Sequence, residues 1–279
     1  MIELLRNRSV ISVRGEEAVK FLQNLATNDL VNNIYSYNYL LSPQGRYLYD
    51  FFVYKSSDEE LLIDVHSDCT RSLLQKLGMY NLRNIVEIND VTNKYRILYS
   101  RQKPEFDSCK FVFTYQDPRF HKLGFRIMLE YNQSFHEKTQ GYLTDESLYF
   151  EDKYNFAIPD GVVDLVFDRS LIVQFGAAEL GAISYKKGCY IGQEVISRAK
   201  YQGTIRKRLF KIMSAHQELI IAEKNSEITD FAGNKVGIFC SGYKDVGIAL
   251  LNTEAMTNTD QLLMTSNGEQ VKPETPEFY

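Results

Sequence analysis

The sequence predicts a mixed body of strands and helices followed by a small antiparallel β-barrel, and two observations carry that expectation. Up to about residue 203, apolar residues switch repeatedly between the spacing of strands and that of helices. After "EVISRAKYQG" the runs "RLFKIM", "SEITD", "NKVGIFCSG" and "VGIALLN" follow closely, punctuated by Gly233, Gly237, Gly242 and Gly247. Short strands separated by glycine turns are the pattern of a small barrel. We therefore set a domain boundary near Gly203, dividing the chain into residues 1–203 and 204–279.

Taken in order, "SVISV" reads as a strand that Gly15 breaks. "EEAVKFLQNLA" follows with Ala18, Phe21, Leu22 and Leu25 at helical spacing. "NYLLSPQGRYLYDFFVYKSSDEELLIDV" predicts consecutive strands, because Pro43-Gln44-Gly45 and Ser56-Ser57-Asp58 are turn signals between aromatic and branched runs. Asp68 is placed to cap a helix that runs to about Leu77 and stops at Gly78. Strands are expected at "NIVEIND" and "KYRILYS" and from Gly124 to Leu129, with a turn at Asp117-Pro118 and helical propensity from Ser134 to Gly141. The final "KPETPEFY" reads as a frayed tail.

Of the 279 residues, 44% are hydrophobic and 24% charged, the balance of a soluble globular protein. The opening "MIELLRNRSVISVRG" contains Glu3 and lacks an uninterrupted apolar run, so it resembles neither a secretory signal nor a membrane span. Cys69, Cys109, Cys189 and Cys240 lie far apart, without the close spacing of a zinc or redox motif, which predicts reduced thiols and a cytoplasmic location. The net charge of -4 is uneven: eight basic residues and one acid between Lys186 and Lys211 give +7 locally, leaving -11 elsewhere. Such a stripe attracts an anionic partner; its plainer reading is a solvated face.

The stripe opens on "YKKGCYIGQEVISRAKYQG". Gln193 to Tyr201 can form a helix with Val195, Ile196 and Ala199 facing inward, ended by Gly203. Cys189 would then lie just ahead of a helix N-terminus, with Lys186, Lys187 and Arg198 as cationic neighbours, conditions that raise the thiolate fraction. The competing reading is a buried cysteine acting as a small hydrophobe. No two cysteines or histidines share ligand spacing, so no four-ligand metal site within the chain is expected, and Cys189 is left as one ligand of a site shared with a partner or a second subunit.

The same stretch resembles the signature of the YgfZ-like proteins, relatives of the glycine-cleavage T-protein (GcvT, an aminomethyltransferase). It carries Lys187-Gly188-Cys189-Tyr190-Ile191-Gly192-Gln193-Glu194 followed by Arg198. "GEEAVKFLQNLATNDL", the Pro-Gln-Gly-Arg hairpin ending in Asp50, "DPRFHKLGFR" and "VGIFCSGYKDVGIALL" are similar to further segments of that family in the same order. The resemblance implies an α+β, GcvT-like folate-binding domain around a central cavity, with a C-terminal antiparallel β-barrel. It implies tetrahydrofolate or a derivative as cofactor and a part in iron-sulfur cluster assembly. Cys189, as a transient ligand for iron or as the acceptor of a group from the folate, and Asp50 become the chemical residues. Gln193 and Glu194 join Asp50 as polar partners of a pterin, Lys187 contributes a cation, and Tyr154, Phe156 or Tyr190 supply stacking in a chain without tryptophan. Arg119, Arg126 and Arg198 are candidates for the glutamate tail. Their plainer roles are a turn acid for Asp50, a helix-end acid for Glu194 and ion pairs for the arginines.

The leading functional expectation is a folate-binding factor that supports assembly or repair of [4Fe-4S] clusters in client enzymes, including radical enzymes that modify tRNA. Its partners would be folate, clients and assembly proteins, with no membrane. The alternative is a folate-dependent aminomethyl or one-carbon transferase using Asp50; the adjacent aspartates of glycine-cleavage T-proteins are here Tyr49-Asp50. A third is a tRNA-binding accessory protein using the basic stripe.

Overall fold

The computed structural model describes residues 1–83, 85–104, 112–131, 146–201, 203, 205–216, 220, 222–256 and 262–279. They form two compact units that interleave along the chain. The first comprises Met1–Leu41, Leu48–Tyr149 and Gly181–Ile191; the second comprises Ser42–Tyr47, Phe150–Leu180 and Gly192–Tyr279. The predicted helix around Ser134 to Gly141 lies outside the described residues.

The first unit is built on two sheets. Strands β1 (Glu3–Leu4), β2 (Arg8–Arg14), β3 (Tyr35–Leu41), β4 (Tyr47–Ser57), β5 (Glu60–His66), β6 (Glu87–Asp90), β7 (Tyr95–Ser100), β8 (Val112–Gln116) and β9 (Phe125–Glu130) supply them. One sheet has the order β3-β4-β5-β2-β6, the other β1-β7-β9-β8. Strand β4 is buried on both faces over most of its length, and its alternation separates two environments. Tyr49, Phe51 and Val53 join Ile11, Val13, Ile63 and Val65 in an apolar core with Leu22, Leu73 and Leu77 of helices α1 (Ala18–Gln23) and α2 (Thr70–Tyr80). Asp50, Phe52 and Tyr54 alternate with that set, toward the other face.

Two predicted helix ends differ. Helix α1 stops at Gln23, short of Leu25; past that point the Leu25 and Ala26 amides both fold back onto the Leu22 carbonyl, at 3.0 and 2.9 Å. Helix α2 is preceded by a 3-10 turn at Ser67–Cys69 and has no side-chain cap, so Asp68 does not cap it. It runs through Gly78 to Tyr80 and ends where Asn81 anchors the returning chain, its Nδ2 donating to the Val86 carbonyl at 2.7 Å. The Pro43-Gln44-Gly45 turn forms as expected: Gly45 has φ +71°, and its amide donates to the Ser42 carbonyl at 2.8 Å. A Cβ there would come within 2.8 Å of the Val195 side chain, so glycine is required on two counts.

The second unit contains helices α3 (Ser147–Asn155, entered from the first unit), α4 (Gly161–Asp164) and α5 (Gln193–Tyr201). It also contains a closed antiparallel barrel of β10 (Lys207–Ser214), β11 (Glu227–Thr229), β12 (Lys235–Tyr243), β13 (Val246–Asn252), β14 (Leu263–Met264) and β15 (Gln270–Glu274), in the order β10-β13-β12-β11-β14-β15. Its interior is apolar, with Phe210, Ile212, Ile228, Phe239, Leu251 and Val271 among the lining residues. The expected frayed tail is corrected by the structure. Strand β15 closes the barrel, pairing Ile212 with Pro273 and Leu263 with Val271. Beyond it, the Tyr279 hydroxyl accepts the Leu209 amide at 3.3 Å, and Phe278 lies where a Cβ on Gly176 would meet it at 2.7 Å. A strand this short carries too little apolar periodicity to stand out; its register comes from β10.

Candidate functional site

Cys189 is exposed, and so is Gly188 beside it, while Lys187 and Tyr190 on either side are 9% and 7% exposed. The loop is therefore fixed at both shoulders and presents its sulfur outward. The fixing is polar. The Lys187 ammonium donates to the carbonyls of Gln23, Ala26 and Asn28 at 2.5, 2.6 and 2.8 Å. Its Nζ also lies 5.2 Å from the centre of the Tyr190 ring. Burial pulls this ammonium down to about 8, with Asp29 acting in the opposite sense.

The Thr-Asn-Asp turn completes the clamp. The Thr27 hydroxyl donates to the Ala182 carbonyl at 2.7 Å and accepts the Tyr39 amide at 2.8 Å. Asn28 Nδ2 donates to the carbonyls of Tyr37 and Gly181 at 3.1 and 2.7 Å, and the Ser184 amide returns to the Thr27 carbonyl at 3.0 Å. Two motifs some 160 positions apart are thus one hydrogen-bonded device whose product is the posture of residues 181–190. Lys187, expected to face a ligand, is the centre of this clamp instead.

On the polar face of β4, Asp50 is 6% exposed and its Oδ2 accepts the Tyr37 hydroxyl at 2.8 Å. Arg119 grips Asp117 through Nε at 2.9 Å and a terminal nitrogen at 2.8 Å, and donates to the Tyr149 hydroxyl at 3.1 Å. Arg126 donates to Asp64 Oδ2 at 2.7 Å, while Arg8 holds Asp64 Oδ1 at 2.6 Å. The guanidinium carbons of Arg126, Arg119 and Arg8 lie 4.0, 5.0 and 5.7 Å from the centre of the Phe52 ring. Burial disfavours the Arg126 charge, but Asp64 and the tyrosine oxygens nearby outweigh it and hold the group above its ordinary value. Of the two arginines expected to face an anionic tail, Arg119 is paired with buried Asp117, and Arg126 shares buried Asp64 with Arg8.

The remaining candidates belong to the second unit. Gln193 and Glu194 open α5, and Arg198 pairs with Glu194 at 2.7 Å, both side chains well exposed. Only Ile196 of that helix is buried. Tyr154 is buried; the Lys153 Nζ lies 4.5 Å from its ring centre, and Tyr243 stacks at 6.1 Å. Lys153 in turn reaches Asp164 Oδ2 at 3.1 Å, and Ser241 donates to the other Asp164 oxygen. This is a polar core tying α3 and α4 to β12.

Cys69 packs against the first unit's core, its thiol pushed up to about 11 by burial and by Asp50. Cys240 is buried in the barrel wall; Cys109 lies outside the described residues. Among the described residues no three metal-ligating side chains converge, and no helix is long and apolar enough to cross a membrane.

Sequence reasoning missed Asp64, Asp117, Thr27, Asn28 and Tyr37. Asp64 had a signal: an acid inside the apolar run "ELLIDVH" must have a buried partner.

Residues 6–99 match the GCVT N-terminal domain, and residues 206–279 match the CAF17 C-terminal beta-barrel domain. The chain is 27% identical to the mitochondrial iron-sulfur cluster assembly factor IBA57 homolog of Pyricularia oryzae, over 91% of its own length and 72% of that protein's. It is 29% identical to the homolog of the same name from Dictyostelium discoideum, over 77% of this chain and 63% of the relative. The structure superposes on the glycine cleavage system aminomethyltransferase T of Bartonella henselae with a TM-score of 0.78 at 13% identity, covering all of this chain and 86% of that one. The fold is thus aminomethyltransferase-like with a closed six-stranded barrel. The expected cytoplasmic location is corrected by these relatives, whose names place them in mitochondria.

Proposed function

We propose that the chain is an accessory factor in iron-sulfur cluster assembly that presents the Cys189 thiol from a clamped loop and binds a reduced folate through its first unit. One observation carries the reading: a cysteine exposed between two buried, anchored residues. An ordinary core cysteine needs no such mounting, whereas a thiolate that contacts a cluster held by another protein needs access and a fixed approach. The names of the relatives support the cluster-assembly class. The cluster is cargo delivered to client enzymes, among which we include radical enzymes that modify tRNA.

The residues of the first unit fit the pterin end of a folate, which supplies a one-carbon carrier when bound. The Asp50 carboxylate beside the Tyr37 hydroxyl offers a polar partner and Tyr190 an aromatic one, while the Tyr37 and Phe52 rings are packed under the guanidiniums of Arg119 and Arg126. Arg119 and Arg126 are neutralised in place and shape the layer around Asp50 rather than take a tail. Gln193, Glu194, Arg198 and Tyr154 are proposed on the motif and residue type alone, within a folate-binding domain proposed to end near Gly203.

Calorimetric titration with tetrahydrofolate tests this half of the proposal. Asp50→Ala is expected to weaken binding at least tenfold and to cost about 1–3 kcal/mol of stability, since the buried Tyr37 hydroxyl loses its acceptor; equal affinity in both folded proteins would remove Asp50 from the site. The fold likeness keeps a second reading, aminomethyl or one-carbon transfer with Asp50 as base. Methylene-folate formed from tetrahydrofolate and an aminomethyl donor would favour it. Against it, Tyr49 takes the place of a second acid and points into the apolar core.

A further inference from the structure

In the first unit a pocket of about 460 Å³ opens at one end of the sheets, lined by Leu4, Leu5, Val10 and Ile97 with Arg6, Arg8 and Arg96. None of the residues singled out from the sequence lines it. We propose that this pocket binds a small organic anion with an apolar body, a carboxylate on an aliphatic or aromatic frame.

The volume lies within the usual range for small-molecule sites, and an apolar floor with a few converging polar groups is their common composition. The charge is one-sided. Among the described residues three arginines line the pocket and no acid does, while the Glu146 carboxylate adjoins it by accepting the Arg6 amide. Arg8 already shares its carboxylate, Asp64, with Arg126, so a half-buried and a buried guanidinium lean on one acid there. Arg96 is held flat by other means: one terminal nitrogen donates to the carbonyls of Thr92 and Tyr95 at 3.2 and 2.8 Å, and its guanidinium stacks 4.1 Å from the Tyr131 ring centre. Arg6 is exposed, and the hydrogen bond at that position, to Glu146, is made by its backbone amide rather than its side chain. Arg96 therefore has a fixed fork with donors to spare and Arg6 an exposed one, the groups that take a carboxylate bidentately. A lipid bilayer or a polyanion would need a broad cationic face; a half-open, apolar-floored recess lined by arginines suits a single small anion.

Decanoate and the neutral 1-decanol, titrated by calorimetry into the full chain, test the proposal. Decanoate is expected to bind saturably at one site, and the Arg6→Gln/Arg96→Gln double variant to weaken it at least tenfold without weakening decanol. Arg6→Gln alone, at an exposed position that leaves the fold untouched, is expected to cost about threefold, the partial loss that one of two cationic contacts implies. Tetrahydrofolate should not compete, since Asp50 and Tyr37 lie outside the lining. No saturable decanoate binding, equal affinity in wild type and both variants, or full competition by tetrahydrofolate would each overturn the assignment.

Discussion

Replacing Lys187 by methionine leaves the carbonyls of Gln23, Ala26 and Asn28 without their common donor. Unsatisfied buried carbonyls and lost charge-assisted bonds predict a loss of about 2–4 kcal/mol, read from denaturant unfolding, together with faster alkylation of Cys189 as its loop loosens. The comparison also has a pH signature. The ammonium is at about 8 in the folded chain against an ordinary value of 10.5. Between those limits the unfolded chain holds the proton that the folded one has released, so wild-type stability rises relative to Lys187→Met as pH increases from 8 to 10.5. A flat difference across that window would place the ammonium in water. Nothing in "YKKGCYIG" announces this role. The sequence shows two adjacent lysines, and only the fold decides that Lys187 turns inward while Lys186 stays exposed.

Asp64 joins the two sheets of the first unit by serving Arg8 on β2 and Arg126 on β9. Asp64→Asn is therefore expected to destabilise by about 3–5 kcal/mol, the usual cost of leaving buried guanidiniums without their counter-charge. The double replacement Asp64→Leu/Arg126→Met should recover a substantial part, and failure of the pair to recover any would deny the coupling. In the second unit, a chain ended at Glu269 lacks β15 and exposes the edges of β10 and β14. It should lose the barrel's cooperative transition altogether. Hairpins were legible in advance because Pro43-Gln44-Gly45 fixes its own geometry. The stop at Gly78 was misjudged because a glycine can continue a helix and the end is set by Asn81, which holds the Val86 carbonyl five residues on; the loose tail was misjudged because β15 answers to β10, which no local pattern contains.

Across the whole molecule the basic stripe loses its continuity. Lys187 is buried; Arg198, Arg208 and Lys211 meet Glu194, Glu179 and Glu274 at 2.7, 3.7 and 2.7 Å. Two of those acids lie outside the window in which the charge was counted, which is why a count along the sequence overstated it. Binding of tRNA by the isolated protein is accordingly expected to be weak and to vanish by 200 mM salt; tight binding that persists there would restore the nucleic-acid reading. The most direct test of the central claim, that a clamped and exposed thiol serves cluster assembly, is the Cys189→Ser variant in a reconstitution with an apo [4Fe-4S] client. The account predicts stability within about 0.5 kcal/mol of wild type, as for an exposed site, and at least a tenfold loss of client activation. Full activation by Cys189→Ser would contradict it.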